Sequence, residues 1–172
     1  HAKVILVVRR EGTMLRRYIH MGTGNYNAST AKLYTDVGLL TVNPQIGEDA
    51  SEVFNHITGY TESHEWQAVA VAPSTMMNKF VSLIRREADH ARNGKPARII
   101  AKMNSLSNQQ IIDELYVASQ AGVKIDLIVR GVCCLRPGVP GLSENVRVRS
   151  IVDRYLEHSR IFAFDNGGDQ EV

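Results

Sequence analysis

At 172 residues the sequence is long enough to bury a real core, as one domain or as two small ones. Its composition, 44% hydrophobic and 22% charged, is that of an ordinary globular protein, with no apolar run of bilayer-spanning length and no signal-peptide pattern. The net charge of +2 conceals blocks, since residues 1–35 carry six Lys or Arg against Glu11 alone while residues 36–65 carry six carboxylates and no Lys or Arg. Such blocks are usually solvated faces, and they bear on function only where basic ones converge on an anion.

In chain order, residues 4–8 are an apolar, β-branched run that reads as a buried strand. Glu11-Gly12-Thr13 reads as a turn and residues 15–20 as the hairpin partner. Gly22-Thr23-Gly24-Asn25 is a loop by composition, residues 30–34 a helical turn, and residues 37–42 another strand. A helix is expected over 47–58, with Glu48 and Asp49 at the positive end of its dipole and Gly59 as its C-terminal cap. The short polar stretch 60–65 reads as a domain boundary. Residues 68–72 read as a strand stopped by Pro73, after which Ser74 caps a helix running to about Asn93 and ended by Gly94. Residues 98–103 form a strand, Ser107 and Gln110 a capping-box pattern for a helix ended by Gly122, and residues 124–129 a strand. This order predicts a βαβ unit with parallel pairing. Two more strand-like stretches, 146–152 and 160–164, are joined through residues 153–159. The fold class is α/β, with mixed sheets flanked by helices.

Two histidines sit in similar local settings. His1-Ala2-Lys3 precedes one strand-like run and His158-Ser159-Arg160 another, and residues two apart in an extended chain share a face. Each imidazole therefore lies beside a cation, an arrangement that suits phosphate: a neutral imidazole can attack phosphorus while the cation holds its oxygens. His56, His64 and His90 fall on expected helix or linker and are assigned no role. Cys133 and Cys134 are adjacent, so they build no disulfide framework and point to a reducing cytosol. They lack partners at metal-ligand spacing, and the carboxylates are scattered, so no metal site is expected within the chain. A chain opening at His1 and closing at Val172 reads as a piece of something longer.

After His1 and Lys3, Gly22-Thr23-Gly24-Asn25 resembles the Gly-Ser-x-Asn of the phospholipase D superfamily. There, that motif and His-x-Lys-x4-Asp occur twice and build one active site across a pseudo-twofold axis. Here Val8 stands where the first Asp is expected, and Arg160 replaces Lys in a second copy whose Asp165 is in place. These departures disfavour the alternative of a phospholipase-D-type phosphodiesterase or nuclease. A non-catalytic polyanion-binding module is a further alternative, for which the basic blocks would suffice. One branch matches more closely. His1-Ala2-Lys3, then His20-Met21-Gly22-Thr23-Gly24-Asn25-Tyr26-Asn27, Ala31-Lys32-Leu33-Tyr34-Thr35-Asp36, Leu127-Ile128-Val129-Arg130-Gly131-Val132-Cys133-Cys134-Leu135-Arg136-Pro137-Gly138 and Ser150-Ile151-Val152-Asp153-Arg154-Tyr155-Leu156-Glu157-His158-Ser159-Arg160 resemble polyphosphate kinase of the long, multidomain bacterial type. The resemblance runs the length of the chain.

It implies the C-terminal part of a first phospholipase-D-like domain over 1–61 and most of a second over 62–172. It implies reversible transfer of the terminal phosphoryl group of ATP to inorganic polyphosphate, with His1 phosphorylated as intermediate and His158 as the second catalytic histidine. Tyr34, Arg130 and His158 match nucleotide-holding positions. Lys3, Thr23, Asn25, Lys102, Arg136 and Arg160 are expected to contact phosphate or polyphosphate, with Arg147, Arg149 and Arg154 as further candidates and His20 in support. Magnesium is expected with the ATP phosphates, held mostly by residues outside this chain. The resemblance further implies ATP/ADP and polyphosphate as partners rather than nucleic acid, a homo-oligomeric full-length protein, and a cytoplasmic location with peripheral association at the inner membrane face. The isolated chain is expected to be inactive.

Overall fold

The computed structural model describes residues 2–59 and 65–172; His1, and most of the expected boundary at 60–65, lie outside the described residues. Strands β1 (Val4–Glu11) and β2 (Met14–Gly22) form the expected antiparallel hairpin, turned at Gly12 with φ +61°. After a 3-10 turn (Ala31–Leu33) come β3 (Tyr34–Thr35) and β4 (Gly38–Thr41), and β4 pairs antiparallel with β2 to give the order β1-β2-β4. Helix α1 (Pro44–Ile57) covers one face of this sheet, where Gly47 lies against Arg17 and the buried Ile19, and Arg17 Nε donates to Ser51 Oγ at 2.9 Å. Residues 4–8 are not the buried strand their composition predicts. Among the described residues β1 lies at the edge of this sheet, and Ile5, Val7 and Val8 are 46%, 52% and 52% exposed there.

Two further expectations fail, and Asp49 figures in both. Helix α1 begins three residues before Gly47, because Asn43 Oδ1 accepts from the amides of Gln45 and Ile46 and Pro44 fits the first turn. Asp49 therefore does not serve the helix start. It is buried, and its carboxylate accepts hydrogen bonds from the amides of Gln67, Ala68 and Val69 at 2.7–3.3 Å. With those donors taken, and Val71 N donating to Thr75 Oγ1, residues 68–72 form no strand.

The rest of the described chain is α2 (Met76–Arg92), β5 (Arg98–Met103), α3 (Gln109–Gln120), β6 (Lys124–Val129), β7 (Val146–Arg149), β8 (Leu156–Glu157) and β9 (Ile161–Phe164), the predicted order with β7 ending at Arg149 and a short strand, β8, added within the expected connection 153–159. Helices α2 and α3 both start one residue later than predicted: Thr75, not Ser74, precedes α2, and Asn108 rather than Ser107 caps α3 by accepting from Ile111 N at 3.0 Å. The second sheet has the order β7-β6-β5-β9, with β5, β6 and β7 parallel and β9 antiparallel to β5. Alternation divides it cleanly. Ile99 and Ala101 of β5 and Ile125, Leu127 and Val129 of β6 pack with Ile84 and Ala88 of α2 and with Ile112, Leu115 and Ala118 of α3. The opposite face of the same strands carries Lys102 and then Arg130. Glu87, fully buried on α2, accepts from the amides of Arg98 and Asn166, fixing the start of β5 and the segment after β9 to the helix.

A two-residue parallel ladder joins the two ends of the chain. β3 pairs with β8 in the register Tyr34 to Leu156 and Thr35 to Glu157, and His158 N extends it by donating to Thr35 O at 2.8 Å.

Candidate active site

The loop after β2 is the first wall of the site. Thr23 N donates to Val37 O, and Val37 N donates to Thr23 Oγ1, so the loop closes on the start of β4. Gly24 is buried, and a Cβ there would run into the Asp36 carboxylate, which would have to move aside. The glycines at 22 and 38 leave room for the His20 ring, whose Nδ1 lies 2.6 Å from Tyr26 Oη. The Thr23 carbonyl then meets His158 Nδ1 at 2.7 Å.

That contact sets the chemistry of His158. A backbone carbonyl only accepts, so Nδ1 carries the hydrogen and, in the neutral ring, Nε2 keeps its lone pair. Burial holds the imidazole below the usual histidine value. The hydrogen bond to Thr23 opposes that shift, and the positive charges of Arg160, Arg130 and Lys3 reinforce it. Tyr34 lies against the same ring, centroid to centroid 5.1 Å.

Arg130, just beyond the C-terminal end of β6, donates from Nη1 to Glu157 O at 3.2 Å, and Arg160 Nη1 reaches His158 O at 3.5 Å. The structure thus brings together Lys3, Thr23, Tyr34, Arg130, His158 and Arg160. Lys102 stands beside this group, but its ammonium is held by Glu157 Oε2 at 3.1 Å and Ser159 O at 3.2 Å. Asn25 is exposed. Arg136 is also exposed, on the loop after β6, where its backbone N–H donates to Tyr116 Oη and its side chain makes no contact with the group among the described residues. His1 lies outside the described residues. Sequence reasoning missed Thr35 and Glu157, whose backbones hold His158 and Arg130.

Two family models match the chain: polyphosphate kinase C-terminal domain 1 over residues 1–63, and polyphosphate kinase C-terminal domain 2 over residues 69–172. The chain belongs to the polyphosphate kinase family. Curated polyphosphate kinases from Synechocystis sp. and Streptomyces coelicolor are 59% and 54% identical to it over 172 residues, all of this chain and 24% and 23% of theirs. A crystal structure of polyphosphate kinase from Porphyromonas gingivalis superposes with a TM-score of 0.88 at 42% identity, covering 99% of this chain and 28% of that one. The fold is accordingly α/β and phospholipase-D-like, as expected from the sequence. The chain spans about a quarter of the length of the curated relatives it matches.

Proposed function

We propose that this chain supplies the catalytic centre of a polyphosphate kinase that moves the terminal phosphoryl group of ATP reversibly to inorganic polyphosphate through a phosphohistidine at His1. The observation that carries this reading is the meeting of Tyr34, Arg130 and His158, far apart in sequence, beside the cations Lys3 and Arg160. A nitrogen of the His1 imidazole attacks the γ-phosphorus as the bond to the β-phosphate oxygen breaks, its electron pair leaving on ADP. A terminal oxygen of polyphosphate then attacks the same phosphorus, and the P–N pair returns to the ring. Phosphoryl transfer of this kind rests on positioning and charge neutralisation. Arg130 offers a planar fork to the phosphate oxygens, and Tyr34 holds the nucleotide with it. With phosphate bound, its negative charge offsets the cations that disfavour a charged ring, so the free Nε2 of His158 takes up a proton from solvent, and as imidazolium the ring stabilises the moving phosphoryl group.

The division into domains at 1–61 and 62–172 belongs to this reading. The two family-model matches support it, as do the separate three-stranded and four-stranded sheets. Magnesium accompanies the ATP phosphates. Among the described residues no group of three or more His, Cys, Asp or Glu could hold it, and Glu157 is engaged by Lys102, so these residues offer no ready magnesium site, and its protein contacts are expected mostly outside this chain. Among the described residues no helix is long and apolar enough to cross a membrane. The proposed setting is cytoplasmic, at most peripheral to the inner membrane face, in a homo-oligomer of the full-length protein.

The test is labelling of the full-length protein with γ-labelled ATP. Wild type takes up an acid-labile, base-stable label and His1→Ala takes up none. Undiminished labelling of His1→Ala removes His1 as the nucleophile.

A further inference from the structure

Residues 157–159 are gripped from three sides. The amide of His158 donates to Thr35 O from β3, and Glu157 O accepts from Arg130 beyond β6. From β5, the Lys102 ammonium reaches both the Glu157 carboxylate at 3.1 Å and Ser159 O at 3.2 Å, bracketing His158. This is not a surface ion pair. The two side chains are only 12% and 17% exposed, where a charge left without its partner is costly. Two of the three ammonium donors point at fixed protein oxygens, which leaves little for a phosphate. Glu157 immediately precedes His158 in the chain and its carboxylate is the partner of Lys102, so left unpaired it would add a negative charge one residue from the ring, close to where a polyanion is drawn.

We infer that Lys102 and Glu157 are a positioning pair, in which Lys102 holds the His158 strand in place and cancels a carboxylate beside the polyanion site, rather than binding phosphate itself. The inference rests on the function proposed above for its substrate. In that role the pair is neutral, so removing both charges together leaves the field at the site nearly unchanged, whereas removing Lys102 alone exposes Glu157. A phosphate-binding lysine behaves oppositely, because its loss weakens polyphosphate binding whatever stands at 157 and lowers the salt dependence of binding.

The experiment measures equilibrium polyphosphate binding and steady-state kinetics on the full-length protein carrying Lys102→Met, Glu157→Gln, both, or Lys102→Arg. Lys102→Met is expected to weaken polyphosphate binding more than tenfold. The double variant should recover most of that affinity with a wild-type salt slope, while kcat stays depressed because the strand has lost its clamp. Glu157→Gln should retain polyphosphate affinity yet lose kcat, and it reports on the pair even if Lys102→Met fails to fold. Lys102→Arg, which can keep the ion pair, should keep most of both. A double variant as weak as Lys102→Met, with a shallower salt slope, would make Lys102 a phosphate ligand and overturn the inference; so would wild-type kcat in Glu157→Gln. If wild type transfers no phosphoryl group, the proposed function fails, whereas the binding arms still decide whether Lys102 touches the polyanion.

Discussion

At the residue scale the site turns on His158, whose ring hydrogen is fixed on Nδ1 by Thr23 O and whose charge is disfavoured by burial and by Arg160, Arg130 and Lys3. Replacing one of those cations should let the ring titrate closer to its ordinary value. In Arg160→Ala, a pH titration of the His158 ring resonances by NMR should show the midpoint moving upward, and an unmoved midpoint would mean that Arg160 does not act on the ring. The linkage has a definite sign. The folded state disfavours the proton, so the unfolded chain binds more of it between the folded value and about 6.5. The stability associated with neutral His158 is therefore complete above about pH 6.5 and is lost as pH falls from there through the folded value. His158→Gln should flatten this acid-side loss in a pH series of thermal melts. His20 gives a packing test: a Cβ on Gly38 would lie 2.6 Å from His20 Nε2, so Gly38→Ala should displace the ring and break its contact with Tyr26, read as a change in the His20 ring resonances by NMR.

At the scale of elements, strands with strong alternation were legible and those defined by pairing alone were not. β5 and β6 lie at the predicted residues because each carries a buried apolar face and a polar one within a strand–helix–strand run. β3 and β8 are two residues each and exist through their mutual ladder, which no local pattern announces. The start of α1 was misplaced because Glu48 and Asp49 resemble a helix N-terminus, whereas Asn43 and Pro44 make the cap and Asp49 is drawn to the amides of 67–69 by a contact distant in sequence. The cap assignment is checkable: Asn43→Ala should cost about 1 kcal/mol in an equilibrium urea titration, while Glu48→Ala, exposed on the helix, should change stability by less than about 0.5 kcal/mol.

At the scale of the whole molecule, the site is assembled from segments far apart in sequence, with Thr23 and Tyr34 on one side and Arg130 and His158 on the other. The sequence disclosed its residue types through their motifs. The pairing that assembles them was hidden, as was the engagement of Lys102, because both depend on β8 crossing to β3. The central claim is that Tyr34 and Arg130 bind the nucleotide as parts of one site rather than through general basicity. The most direct measurement is the affinity of the full-length protein for a non-hydrolysable ATP analogue in Tyr34→Ala, Arg130→Ala and, as a charge-matched control, Arg85→Ala. Arg85 pairs with Glu114 between α2 and α3, the helices packed on the opposite face of the second sheet. A charged hydrogen bond of about 1.5–3 kcal/mol predicts a loss of roughly 10- to 100-fold for Arg130→Ala, a clear loss for Tyr34→Ala, and wild-type affinity for Arg85→Ala. Equal weakening by Arg130→Ala and Arg85→Ala, or none by Tyr34→Ala and Arg130→Ala, would contradict it.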